Sequence, residues 1–360
     1  NRVTAESTQI DVKTAKAALF PSLSFSTSQQ VVNRPYQETS SRVSGSEIIS
    51  SNSKTSYNGN YGLNASWTIY NGSKRLKTLK QERLNNQIAE LDVATSENTI
   101  KESIAQIYIQ ILYAAESVRV NENTLQVSIA QRDRGQELLN AGSIAKSDLA
   151  QLEAQVSTDR YQLVTAQATL QDYKLQLKQL LELDGENEMN IYLPALSDEN
   201  VLSPLPAKRD VYVSALALRP EIEASKLNVN ASELGIDIAK SGYLPTVSLS
   251  AGIGTNHTSG SDFTFGEQVK NGWNNSFGLS VSVPIFNNRQ TKSAVQKAKL
   301  QRETNMLSLL DEQKALYKTI ESLWLDANSA QQRYAAANEK LRSTQISYDL
   351  ISEQFNLGMK

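Results

Sequence analysis

Cysteine is missing from all 360 residues, and histidine occurs once, at His257. The first absence excludes disulfides, thiolate metal sites and cysteine nucleophiles. The second excludes paired-histidine metal sites and leaves a histidine-dependent triad one candidate, set among Gly, Ser and Thr. A charge excess is lacking too: 36 Lys and Arg stand against 38 Asp and Glu, so nothing favours nucleic acid as a partner. No apolar run approaches ~18 residues, and mean hydropathy is −0.41, so no bilayer-spanning helix is expected. A transmembrane β-barrel would pass the same test unnoticed. Proline is absent between Pro35 and Pro194 and after Pro284; glycine is absent between Gly72 and Gly135 and between Gly278 and Gly358. Turns draw on both residues, so these gaps predict very long helices, one over 71–140 that would run about 100 Å if continuous.

The apolar spacing agrees. Ile100, Ile104, Ile107, Ile111, Ala115, Val118, Leu125 and Ile129 follow steps that are mostly three and four. After Gly142 the pattern restarts with Leu149, Leu152, Val156, Leu163, Leu170, Leu177 and Leu180 near heptad register, which predicts an antiparallel hairpin turning at Gly142 and Ser143. A period of two governs other segments. Tyr57, Gly59, Tyr61, Leu63, Ala65, Trp67 and Ile69 alternate with Asn58, Asn60, Gly62, Asn64, Ser66 and Thr68; Phe277, Leu279, Val281, Val283 and Ile285 alternate with small residues. These read as strands with one apolar face and one small, uncharged polar face. A half-buried sheet over a soluble core is the usual cause of such alternation. Against it stand a strand of roughly 40 Å over 57–69 and aromatic residues at Tyr57, Tyr61, Trp67, Trp273 and Phe277, placed as interfacial girdles would be.

The chain repeats itself. Residues 15–24 reappear as 239–248, an offset of 224; residues 61–66 reappear as 277–282, and 139–142 as 355–358, both offset by 216. The interstrand loop is thus variable and the following helix fixed in length. The expected organisation is a first repeat over 1–210, with strands at about 20–33 and 57–70, a helical hairpin at 72–183 and a linking segment at 184–210. A second repeat over 211–360 has a helix at about 220–241, strands at 244–255 and 275–286, and a long helix at 288–357. Its returning arm is lacking, so the native chain is expected to continue at that end and to begin earlier at the other. Loops over 28–56 and 254–274, rich in Ser, Asn, Gly and Thr, are expected to lie in solvent.

No nucleophile, base or metal constellation is found, so no enzyme, cofactor, metal or catalytic residue is expected. The Gly252-x-Gly254 pair runs into a Ser/Thr-rich loop and not a helix, unlike a phosphate cradle. His257 reads as an exposed loop residue, and Trp324 as packed in a helix interface. A soluble coiled-coil protein, either a periplasmic adaptor or a filament subunit, is the other non-enzymatic reading. It leaves the two pairs of alternating strands unexplained.

In its two repeats of strand, loop, strand, long helix, turn and helix, the chain resembles the TolC-type outer-membrane efflux proteins, also called outer-membrane factors. Leu218-Arg219-Pro220-Glu221 opening a helix, Tyr243-Leu244-Pro245 entering a strand, and Ala141-Gly142 followed by Asp148-Leu149 at the turn carry the resemblance. It implies a mixed α and transmembrane β fold, in which a homotrimer forms a 12-stranded outer-membrane β-barrel continuous with a periplasmic α-helical barrel. It further implies an exit channel of a tripartite efflux or type I secretion system, docking on a periplasmic adaptor and an inner-membrane pump. Independently, four strands cannot close a barrel, and an open sheet in lipid would leave backbone groups unpaired.

The residues expected to face lipid are Tyr61, Leu63, Trp67, Phe277, Leu279 and Val281. Those expected to face a wet lumen are Asn64, Ser66, Ser280 and Ser282. The resemblance places a gate at the hairpin tip, with Gly142, Lys146, Ser147, Asp148, Phe355 and Gly358. Ser147 and Asp148 fall where the family has linking polar residues, Phe355 where it has an aromatic partner, and Lys146 where an apolar residue is expected. A local role is open beside it: Ser147 would cap the second helix, and Asp148 would favour its positive N-terminus.

Overall fold

The computed structural model describes residues 1–36, 40–44, 47–51, 54–183, 191–192, 201–259, 261 and 263–357; for 40–44 and 47–51 it describes the backbone. The elements are α1 (Arg2–Ala17), β1 (Ser22–Asn33), β2 (Ser40–Ser44), β3 (Glu47–Ser51), β4 (Thr55–Asn71), α2 (Lys74–Asn140), α3 (Lys146–Leu180), α4 (Lys208–Leu218), α5 (Pro220–Lys240), β5 (Thr246–Thr258), α6 (Phe265–Asn271), β6 (Asn274–Ser282) and α7 (Gln290–Asn356). They group into two compact units: Asn1–Val93 with Tyr212–Thr319, and Ala94–Val211 with Ile320–Lys360. Helices α2 and α7 are each 67 residues long, and α7 starts and stops 216 positions after α2. Serine and threonine hydroxyls along them turn inward to the carbonyl four residues back, as Thr99, Ser103, Thr124 and Thr304 do, so polar residues are tolerated in helix interiors.

The first unit holds a four-stranded antiparallel sheet in the order β1-β4-β5-β6. Each strand pair feeds a long helix through the same device: Gly72 and Ser73 have φ of 66° and 61°, and their counterparts Asn288 and Arg289 have φ of 51° and 63°. Two consecutive residues in left-handed backbone make each turn, which suits Gly72 and strains the other three. The two junctions interlock with the entry to β5. The buried Ser241 hydroxyl donates to the Gly72 carbonyl (2.9 Å), and Thr291 Oγ1 donates to the Gly242 carbonyl (3.3 Å). A Cβ on Gly72 would lie 2.9 Å from both Leu244 Cβ and the Ser241 carbonyl oxygen.

Helix α5 begins as its sequence requires, with extended Arg219 ahead of Pro220 and with Glu221 and Glu223 in the first turn. Its Ile222, Ala224 and Ala231 are buried, as are Leu79 and Ala89 of α2 and Leu316 of α7. Polar links tie α5 to both: Gln81 Nε2 donates to the Ala231 carbonyl, and Ser225 Oγ donates to Glu312 (2.6 Å). Asp237 stays below the usual carboxylate range because Lys240 donates to it and Lys77 lies 3.5 Å away.

The second unit contains the hairpin of α2 and α3. Leu149, Val156 and Leu177 of α3 are buried, and so are Ile111 and Ala114 of α2. Glycine at position 135 has a packing cause, since a Cβ there would sit 2.5 Å from Leu152 Cδ1. The segment after the 193–200 stretch is laced onto α7. Gln331 donates to the carbonyls of Val201 and Ser203, and Trp324 Nε1 donates to that of Pro206 (3.2 Å). Lys208 lies 4.8 Å from the Trp324 ring centre and pairs with Glu321 at 2.9 Å.

Candidate membrane sheet and hairpin tip

Directly opposed residues in an antiparallel sheet share a face, so the register assigns every strand residue a side. Phe25, Leu63 and Ile253 align; Leu23, Ala65, Ala251 and Phe277 align; Trp67, Leu249 and Leu279 align. The other face carries Ser24, Asn64, Gly252 and Ser276, then Ser22, Ser66, Ser250 and Gly278, then Thr68, Ser248 and Ser280. In these rows the first face is apolar except for Asn275, which opposes Ile253 on β6, and polar Thr27 and Thr255 flank Tyr61 one row further along; the opposite rows contain no charge. The apolar face is nonetheless open: Phe277 is 78% exposed, Leu279 62% and Val281 59%. Hydroxyls and amides pair across the polar face, with Ser22 and Ser66 Oγ 2.8 Å apart and Asn64 Nδ2 donating to Ser26 Oγ. Asn64, Ser66, Ser280 and Ser282 are all exposed there.

Three local details depart from the sequence reading. A register shift between Thr68 and Tyr70 leaves Ile69 unpaired, so Tyr70 instead of Ile69 meets Val247 and the alternation inverts. Strand β6 stops at Ser282 although the alternation runs on to Ile285, since Pro284 has no N–H to give a ladder. His257 is a strand residue and not an exposed loop residue. Its ring lies 5.3 Å from Tyr57, 6.1 Å from Tyr61 and 5.1 Å from Phe265, and its buried Nδ1 has no hydrogen-bond partner. Gly59 makes room for it, as a Cβ there would approach the ring to 2.4 Å. Tyr61 therefore lies on the apolar face but half-covered, whereas Leu63 and Trp67 are exposed.

The loops between the strands hold structure of their own. The first contains the hairpin β2–β3 and the second contains α6. Helix α6 was legible in principle, because Thr264-Phe265-Gly266-Glu267 is a capping box: Thr264 N donates to Glu267 Oε2 (2.8 Å), and Glu267 N donates back to Thr264 Oγ1. Among the described residues no helix is long and apolar enough to cross a membrane.

At the hairpin tip, α2 ends in a left-handed cap. Gly142 has φ of 72°, its N–H bonds the Leu139 carbonyl, and Ser143 N–H bonds that of Leu138. Helix α3 starts with Ala145 at its N-cap, so Ser147 does not occupy the cap. Alanine has no side-chain acceptor, and only the reverse half of a box is made: Ala145 N donates to Asp148 Oδ2 (3.1 Å). Ser147 Oγ donates to Asp148 Oδ1 at 3.4 Å, so Ser147 and Asp148 are brought together. Lys146 is exposed beside them. Phe355 lies at the far end of α7, 63% exposed, and Gly358 falls outside the described residues. Sequence reasoning passed over Asp159, a carboxylate only 4% exposed on α3 that accepts from Gln155 Nε2 at 2.9 Å.

A duplicated strand pair with one largely apolar and one uncharged polar face, running each time into a helix of equal length, defines a class of protein in which a two-faced sheet and long helices are one chain. The profile of the outer membrane efflux protein family matches residues 2–182 and 211–360, and the chain belongs to that family. It is 25% identical over 266 residues to the outer membrane efflux protein BepC of Brucella suis biovar 1 (strain 1330), covering 73% of this chain and 55% of BepC. It is likewise 25% identical over 312 residues to the outer membrane protein TolC of Escherichia coli (strain K12), covering 83% of this chain and 61% of TolC. The chain thus spans little more than half the length of these curated relatives. Its mixed α and β fold is shared with the solved structure of CusC, at a TM-score of 0.79, 19% identity and coverage of 100% of this chain and 79% of that one. VceC of Vibrio cholerae matches at a TM-score of 0.78 and 16% identity, over 99% of this chain and 82% of its own.

Proposed function

We infer that this protein is the outer-membrane exit duct of a tripartite efflux or type I secretion system, a passive conduit and not an enzyme. The observation that carries this reading is the four-stranded sheet whose two outer strands, β1 and β6, each have an edge that pairs with no other strand among the described residues. In hydrocarbon, every unpaired backbone group costs several kcal/mol. Strands β1 and β6 run in opposite directions, so β6 of one copy set beside β1 of the next continues an all-antiparallel order. Three copies give 12 strands, an even number within the range of closed membrane barrels.

In that homotrimer Leu63, Trp67, Phe277, Leu279 and Val281 face outer-membrane lipid, and Asn64, Ser66, Ser280 and Ser282 line an uncharged lumen. Residues 1–210 and 211–360 act as two structural repeats, and their long helices extend into the periplasm. The turn at Gly142, with Lys146, Ser147 and Asp148, closes the resting duct together with Phe355, and partners dock nearby: a periplasmic adaptor and an inner-membrane pump. Sedimentation of the detergent-extracted protein tests the assembly, with three copies per particle expected. A stable monomer or dimer with native strand content would sink it, and release into buffer without detergent would favour a soluble coiled-coil adaptor instead.

A further inference from the structure

Helix α6 folds back over the apolar face of the sheet. Phe265 meets Tyr61 of β4 at 6.5 Å and His257 of β5 at 5.1 Å, both edge-on. Seven residues are too few to hold a helix unaided. This one is pinned by its capping box and by two bonds from β5: Thr255 Oγ1 to the Val269 carbonyl (2.7 Å) and Thr258 N to Gln268 Oε1 (2.8 Å). Phe265 of α6 is exposed, as are Tyr57 on β4 and Phe263 and Trp273 on either side of the helix. Glu267 and Lys270 are exposed on α6 itself, and Lys54 lies just beyond Tyr57.

The vertical position of this patch follows from strand geometry. Tyr57 and Trp67 are ten residues apart on β4, which is about 33 Å of strand at ~3.3 Å per residue. At a barrel tilt of ~40° this becomes about 25 Å, the height of an outer-membrane apolar band. Tyr57 and α6 therefore mark one rim of the band and Trp67 the other. Rings with charged neighbours beyond them suit the boundary between acyl chains and headgroups, where the rings enter the apolar layer and the charges remain in the polar one.

We propose that α6 is an interfacial collar: a short helix on the outer surface of the sheet that binds the headgroup layer of the membrane through Phe263, Phe265 and Trp273. It also screens His257, whose unpartnered Nδ1 would otherwise face hydrocarbon. The inference rests on the reading of the sheet as membrane-spanning.

Because the chain has no cysteine, Gly266→Cys, Lys270→Cys and Leu279→Cys each accept a single nitroxide label. Space is open around Gly266, and Lys270 and Leu279 are exposed, so the labels leave the packing intact. The full chain is reconstituted in phosphatidylcholine and phosphatidylglycerol vesicles, and collision with oxygen is compared with collision with a water-soluble nickel chelate. At 266 and 270 the oxygen-to-nickel ratio should exceed the aqueous value several-fold and fall several-fold below that at 279. Aqueous ratios at 266 and 270 with a lipid ratio at 279 would overturn the collar and leave the sheet reading standing. Exclusion of both reagents at 266 and 270 would overturn it in favour of a neighbouring copy covering α6. An aqueous ratio at 279 would overturn the membrane-spanning sheet itself.

Discussion

Four residues carry positive φ at the strand-to-helix junctions, and only Gly72 is free of a side-chain penalty there. Arg289, with φ of 63°, is the largest misfit. Arg289→Gly should stabilise the first unit by about 0.5–1 kcal/mol in a denaturant titration, whereas Gly72→Ala should destabilise it through both strain and collision. The tip offers a second residue-scale test. Ala145→Ser supplies the acceptor that the α3 cap lacks and should add about 1 kcal/mol to hairpin stability with no change in conductance. Asp148→Ala removes the one half of the box that is made. It should cost a similar amount and, if the tip is the gate, raise single-channel conductance in planar bilayers; lowered stability with unchanged conductance would leave capping alone.

At the scale of elements, the hairpin depends on one close approach. Gly135→Leu puts a side chain where Leu152 already lies and should cost roughly 1–3 kcal/mol, read as loss of thermal stability. The sheet gives a paired test: Leu279→Arg should impair membrane assembly by roughly 2–4 kcal/mol near the midplane, and Ser280→Arg much less, as measured by heat-resistant barrel yield. These elements were legible in the sequence for definite reasons. Long helices show as stretches without proline or glycine, and the two sheet faces show because alternation fixes the side of each residue whatever its partner. Other features were not legible. The bulge at Ile69 inverts the alternation without leaving a mark on composition. Gly135 reads as a breaker until Leu152 is set against it. His257 is surrounded by Gly, Ser and Thr in sequence, and the rings that enclose it come from β4 and α6. Helix α6 signals itself only by its capping box, inside a loop whose composition suggests no structure.

For the whole molecule, the pair of unpaired strand edges has a genetic consequence. In the ring of three copies proposed above, a chain whose β6 edge is spoiled and whose β1 edge is intact can still be accepted by a wild-type neighbour, yet that ring cannot close. Successive backbone N–H groups in a strand point to opposite sides, so one of Asn275→Pro and Ser276→Pro removes an outward donor while the other breaks pairing with β5. The outward variant should be dominant. Co-expressed at equal dosage, it should leave roughly one-eighth of three-membered rings free of any variant chain, and the yield of heat-resistant barrels should fall towards that fraction. A yield settling at one half would mean that spoiled chains are never incorporated, and the wild-type copies would then be spared where the proposed ring predicts that they are poisoned.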